Sequence, residues 1–316
     1  MGKLRGVVTQ ITPLTDRISS LTIAATGGGV LPGWAAGAHA VFDVPGSTRA
    51  YSLVAFDVVP AAPESYRIAV QREDAGQGGS RAMHGLAVGD DVLFEAPKNS
   101  FAVETQVPAV LLAGGIGVTP LISMAAALRA ARQEYAFHYA GRSADVMAYS
   151  DELAAGHGAA FHLHFDDGDS ALDLDRVIGG LGAAHLYVCG PRGMLDAARA
   201  KAAAAGVPEA HVHFELFEAA GAEHGDSAFE VEINDGRVFT VPVGHSIIEV
   251  LEEHDIDVMY DCQRGDCGIC QCDVLDGIPD HRDVVLSEAE RAAGDVMQIC
   301  VSRAKSARLV LDIDGE

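Results

Sequence analysis

The residues with the most pointed chemistry are cysteines. Cys262, Cys267 and Cys270 follow one another at x4 and x2 spacing, and Cys300 comes after 29 intervening residues. Four thiolates so spaced can hold two irons bridged by two sulfides, the pattern of plant-type [2Fe–2S] centres. Gly265 and Gly268 let the backbone curl around such a group and aim N–H groups at its sulfurs. The competing use of a Cys-x2-Cys pair is a zinc knuckle. Zinc sites usually pair two knuckles, whereas here one loop supplies three ligands and a distant strand the fourth. Cys272 is expected to be a buried small hydrophobe and not a ligand.

Glycine-rich turns mark a second chemistry. Gly114-Gly115-Ile116-Gly117-Val118-Thr119-Pro120 joins the apolar run Val107–Ala113 to a helix expected over Leu121–Arg132. Thr119 is read as its N-cap and Pro120 as its first position. Backbone N–H groups and the helix dipole there can hold a pyrophosphate. Pro120 stands where the usual dinucleotide fingerprint has a later glycine. Cys189-Gly190-Pro191-Arg192-Gly193-Met194 likewise follows an apolar strand and opens a helix.

A third group lies earlier, in Arg49-Ala50-Tyr51-Ser52-Leu53. Arg49 and Tyr51 alternate and share one side of a strand. Tyr51 could lie along an isoalloxazine while Arg49 meets a phosphate by charge-assisted hydrogen bonds. Ser52 points the other way, or its backbone bends so that its hydroxyl or amide nears the flavin N5. Gly78-Gly79-Ser80 leads into a short helical segment, Arg81–Leu86, and offers a further anion site.

The elements that must position these residues fall into three stretches. Residues 1–103 carry short alternating runs broken by Gly, Pro and Asp, as in a small antiparallel barrel. Residues 104–222 alternate apolar strands with helices, which predicts a parallel sheet covered on both faces. A linker is read at 219–226, and residues 226–316 form the third stretch. There Asn234-Asp235-Gly236 signals a hairpin, and Ser246-Ile247-Ile248-Glu249 a capping box.

Composition narrows the function classes. The chain has 316 residues, 22 basic and 45 acidic side chains, and a net charge of −23. Residues 226–316 hold 21 of the acidic and 7 of the basic residues. So acidic a chain is no nucleic-acid binder, which would need clustered Lys and Arg, but it fits a partner with a basic docking face. The acidic residues of 249–261 are read either as that face or as a solvated surface. No apolar run approaches the ~20 residues of a membrane helix, and no signal-peptide h-region opens the chain. A cytoplasmic protein, away from membranes and monomeric when isolated, is expected. Among thirteen histidines, His162/His164 and His211/His213 each place two imidazoles on one strand face. Without a carboxylate or third ligand at defined spacing they are read as structural.

The cysteine stretch resembles the plant-type ferredoxins over about 90 residues, which implies a β-grasp fold and a one-electron carrier. The two nucleotide motifs together resemble the ferredoxin–NADP⁺ reductase superfamily, which also carries Arg-x-Tyr-Ser ahead of the Gly-rich turn. The full order looks like the phthalate dioxygenase reductase family, including the reductase components of vanillate O-demethylases. That resemblance implies a flavin site at Arg49, Tyr51, Ser52, Leu53, Ala69, Val70, Gly78, Gly79 and Ser80. It implies FMN, with FAD the alternative. The pyrophosphate falls to Gly114, Gly115, Gly117, Thr119 and Pro120. Gly190, Pro191 and Met194 flank the nicotinamide, with Cys189 positioning the ring. Glu215 and Phe217 match an acidic-x-aromatic element near the flavin. NADH is implied as donor, with Asp166 as a ribose contact, while Arg142-Ser143 could instead favour a 2′-phosphate. Cys189, Ser52 and Glu215 are the expected catalytic residues.

The implied partner is a separate oxygenase with a Rieske centre, since this chain contains no Cys-x-His pair. Plant-type clusters lie near about −400 mV and Rieske centres at about −150 to +300 mV, so that transfer runs downhill. A reductase feeding a diiron monooxygenase is one alternative, and a zinc-stabilised nucleotide-binding interaction protein is the other.

Overall fold

The computed structural model describes residues 2–74, 78–166, 170–217 and 225–313. Most of the expected linker, 219–224, lies outside them. The chain divides into two compact units, Met1–Glu215 and Leu216–Glu316.

The first unit opens with an antiparallel sheet of β1 (Leu4–Pro13), β2 (Ile18–Ala25), β3 (His39–Val44), β4 (Ser47–Ser52), β5 (Ser65–Gln71) and β6 (Asp91–Phe94), with helix α1 (Gly79–His84) between the last two. The strand order is β4-β3-β6-β1-β2-β5. Just past β4, the Val54 N–H donates to the Arg67 carbonyl in β5 (2.8 Å), so the two outer strands approach and the sheet rounds toward a barrel. Alternate inward residues such as Phe42, Tyr66, Ile68 and Phe94 fill it, as a period of two requires.

The same unit continues as β7 (Ala109–Gly114), α2 (Val118–Ala131), β8 (Tyr135–Gly141), α3 (Ser150–His157), β9 (Phe161–Phe165), α4 (Leu174–Gly179), β10 (His185–Cys189), α5 (Arg192–Ala204) and β11 (Val212–Glu215). These five strands are parallel, in the order β11-β10-β7-β8-β9. Every residue of β7 is buried, because helices cover both faces of a central parallel strand. Helix α2 starts three residues earlier than the sequence suggests. Thr119 is not its cap: a tight turn, Gly115–Gly117, runs directly into the helix with Gly117 at the cap, and Thr119 donates its hydroxyl to the Ile116 carbonyl (3.0 Å) from within the first turn. The helix opened by the second glycine motif begins at Arg192. Strand β11 ends at Glu215, so Phe217 lies past it, in the second unit.

The second unit holds β12 (Phe229–Ile233), β13 (Val238–Val241), α6 (Ile247–Glu252), β14 (Gln271–Asp276), β15 (Pro279–Asp280), α7 (Glu288–Ala293), β16 (Val296–Gln298), β17 (Arg303–Ala304) and β18 (Arg308–Asp312). The mixed sheet β13-β12-β18-β14-β16 has a parallel pair, β12 and β18, near its centre, and Ile247, Ile248, Val250 and Leu251 of α6 join its core, the β-grasp arrangement. The hairpin turn closes on Gly236 at φ +83°, and Ser246 and Glu249 form the reciprocal cap. Asp226 is no linker residue: the buried Arg282 guanidinium donates to both its oxygens and to Asp280. Among the described residues no helix is long and apolar enough to cross a membrane.

Candidate functional site

The cysteine loop is built around its glycines. Gly265 (φ +81°) packs so closely on Asp283 that a Cβ would lie 2.9 Å from the Asp283 Cα, and Gly268 sits at φ +78°. No L side chain adopts such geometry without strain. The Val284 N–H donates to the Gly265 carbonyl (2.8 Å), and the buried Asp283 carboxylate takes the N–H groups of Val285 and Leu286. Thus the loop is clamped from beneath. The Ile299 N–H donates to the Cys270 carbonyl (3.2 Å), tying the fourth cysteine's segment to the third cysteine. Buried Gln298 approaches the Cys270 Sγ (3.5 Å) and donates to Gln271 (3.0 Å).

The four thiols converge. Cys262 lies within hydrogen-bonding reach of Cys267 and Cys300, and Cys270 of Cys300. Those neighbouring thiols hold Cys262 well below the usual thiol range. The Arg264 N–H also points at the Cys262 Sγ (3.3 Å). All four remain free thiols with no disulfide. Convergent sulfurs that receive backbone N–H groups fit a bridged diiron cluster. Cys272 stays outside, half-buried against the core, and its thiol is pushed up by burial. Sequence reasoning passed over Asp266: burial raises its carboxyl to about 7 against the pull of Arg264, and it accepts the Leu216 N–H (2.9 Å).

In the parallel sheet, β7 and β10 are neighbours although the chain visits β8 and β9 between them. A ligand crevice is expected outside the carboxyl ends of strands at such a switch point. Both glycine motifs sit there. A Cβ on Gly114 would lie 2.6 Å from the Met194 Cε and 2.7 Å from the Pro191 Cδ, and one on Gly117 would strike the Cys189 carbonyl. The two loops therefore touch through bare backbone. Cys189 is fully buried at the end of β10, in register with Glu215 on β11. Asp166 is exposed, and its N–H donates to the Gly141 carbonyl (3.1 Å) at the end of β8.

In the barrel, β4 carries Arg49, Tyr51 and Ser52, with Leu53 buried just beyond. The Arg49 side chain lies against Gly79, where a Cβ would be 2.8 Å from its Nε. Gly78 precedes α1 in the left-handed region at φ +96°. The structure thus brings together two segments 30 residues apart that the sequence singled out separately. Ser80 is already engaged, its Oγ accepting the Glu73 N–H (2.9 Å). Burial raises the Tyr51 hydroxyl to about 12. Ser52 is buried, with an Oγ that has no hydrogen-bond partner. The Arg49–Gly79 approach offers a cationic turn that suits an anionic group, and the partnerless Ser52 hydroxyl is a separate polar group that a ligand would satisfy. Ala69 and Val70 are buried in β5, and His84 of α1 bonds the Val70 carbonyl (2.9 Å).

Comparison with known proteins agrees with this architecture. The family described as "2Fe-2S iron-sulfur cluster binding domain" matches residues 231–305, which excludes the zinc reading of the cysteines. The chain is 42% identical to tetrachlorobenzoquinone reductase of Sphingobium chlorophenolicum over 97% of each chain. It is 38% identical to a vanillate O-demethylase oxidoreductase of a Pseudomonas species, over 97% of this chain and 99% of that one. Among solved structures, "phthalate dioxygenase reductase: a modular structure for electron transfer from pyridine nucleotides to [2Fe-2S]" superposes with a TM-score of 0.74 at 35% identity, over 98% of both chains. A near-barrel sheet, a parallel sheet with two backbone-packed glycine loops at its switch point, and a four-cysteine unit in that order place this chain in the phthalate dioxygenase reductase-like family.

Proposed function

We propose that the chain takes a hydride from NADH onto FMN and passes the electrons singly, through a cluster held by Cys262, Cys267, Cys270 and Cys300, to a separate oxygenase with a Rieske centre. The convergence of those four thiols carries this reading. A bound flavin supplies the exchange of a two-electron donor for one-electron steps, and a bound cluster the one-electron relay.

The chain's own residues orient and shield. Arg49, with the Gly78–Gly79 turn, would neutralise the flavin phosphate, and Tyr51 would flank the ring. Ser52 would offer its free hydroxyl to the flavin, and FMN suits so short an anion site. The Gly114–Gly117 turn would hold the nucleotide pyrophosphate, and Cys189 would set the nicotinamide beside Glu215. Exposed Asp166 would take the ribose hydroxyls, and its negative charge disfavours a 2′-phosphate, hence NADH. Between two ligands, Ile269 is 45% exposed, so the cysteine loop itself reaches the surface of its unit. Exposed Glu252, Glu253, Asp255 and Asp257 add negative charge to that unit, as a basic partner requires.

A visible spectrum before and after anaerobic NADH tests the reading. Yellow flavin bands over a brown cluster background, both bleached by NADH, are expected. A protein with no iron after anaerobic reconstitution would overturn it. Mass analysis of the released flavin tests FMN, and reduction of a purified Rieske oxygenase tests the partner.

A further inference from the structure

At the starting edge of the parallel sheet, opposite the nucleotide loops, three remote segments bring metal-ligating groups together. Glu104, His185 and His213 each place one ligand atom so that all three lie within 4.8 Å of one another. We propose that this Glu–His–His group is a binding site for a borderline divalent cation, Zn²⁺ in the first instance, separate from the redox cofactors.

Two neutral imidazoles and a carboxylate are a familiar three-ligand set for Zn²⁺, leaving one position for water. The rings are held ready. His185 opens β10 and is buried, while His213 lies on β11 in register with Tyr187. His211 stacks on His185 (centroids 4.3 Å apart) and Tyr187 stacks on His213 (4.5 Å). Stacking on one sheet face fixes the rotamers, so little side-chain freedom is lost when a cation binds. The facing nitrogens, His185 Nδ1 and His213 Nε2, share a hydrogen bond at 3.0 Å. Two nitrogens bound to one tetrahedral zinc at ~2.0–2.1 Å would stand about 3.3 Å apart, so the pair needs only a slight opening. The shared proton then moves to the other nitrogen of its own ring, and both ligands stay neutral.

Glu104 completes the set from the segment entering β7. Its N–H donates to the Tyr187 hydroxyl (3.0 Å), which anchors the backbone while leaving the exposed carboxylate free to swing inward. The comparable trio His138, His162 and His164 on β8 and β9 is also stacked, but no carboxylate joins it to make a mixed ligand set among the described residues.

The test is calorimetric titration of the intact holoprotein with ZnCl2, with the visible cluster spectrum monitored throughout. One site per chain is expected in the wild type. Glu104→Gln and His213→Gln should each weaken it at least tenfold, while the control His162→Gln binds as the wild type does. Exposed Glu104 can be changed without a folding penalty, so that variant decides the matter even if His213→Gln is unstable. No binding by the wild type, or equal affinity in Glu104→Gln, would overturn the proposal.

Discussion

Cys189 and Glu215 are register partners at the carboxyl ends of adjacent parallel strands, both buried. A thiol and a carboxyl are thereby fixed side by side at the switch point of the sheet. Cys189→Ala should leave flavin content unchanged and slow flavin reduction by NADH about tenfold, or ~1.4 kcal/mol. Anaerobic stopped-flow at 450 nm, the flavin band, reads this directly. An unchanged rate would remove Cys189 from the positioning role.

The cysteine unit makes a separable prediction. Cys267→Ser should lose the cluster and all electron delivery to a one-electron protein acceptor. Bleaching of the flavin by NADH should persist. Loss of bleaching in a folded variant would contradict the linear order of carriers.

Arg49 lies against the glycine turn where a phosphate would sit. Arg49→Ala should weaken flavin retention by roughly 10- to 100-fold, the worth of one charge-assisted hydrogen bond at about 1.5–3 kcal/mol. Flavin content after gel filtration measures it.

Buried Arg282 is held by Asp226 and Asp280 across as many as 56 residues of sequence. Arg282→Ala removes the close partner of the buried Asp226 carboxylate, leaving it only the longer Arg303 contact (3.8 Å), and should destabilise the second unit by about 3 kcal/mol. A thermal scan following cluster bleaching would show the loss.

His138 provides a pH signature. Burial, reinforced by His162, His164 and Arg176, lowers its pKa to about 4 from 6.5. The folded state therefore disfavours the charged ring. Its contribution is intact above pH 6.5 and is lost as pH falls from there toward 4. His138→Gln should flatten that stretch of the stability profile, measured as Tm against pH.

The convergence of Cys262, Cys267, Cys270 and Cys300 was legible because they sit in two short stretches with a distinctive spacing. The reciprocal cap at Ser246 and the turn at Gly236 were legible for the same local reason. The start of α2 was not. Thr119 looks like a cap, but the Gly115–Gly117 turn already carries helical backbone into the first residue, Val118. Asp226 read as linker because its partner lies 56 residues away. The nearness of His213 to His185 and Glu104 was not legible, because the three come from segments far apart in the sequence that the parallel strands β10 and β11 bring side by side. The proximity of Arg49 to Gly79 was implied by the family resemblance and not by the local sequence, since only the fold of the barrel brings β4 to α1.

Strand β10 is five residues long, with His185 at one end and Cys189 at the other. At about 3.3 Å per residue those Cα atoms stand roughly 13 Å apart along a rigid rod. Co²⁺ seated at the imidazole end would act as a paramagnetic ruler. It would broaden the proton resonances of a nicotinamide docked at the thiol end by an amount set by that fixed span, and report nucleotide occupancy without any turnover.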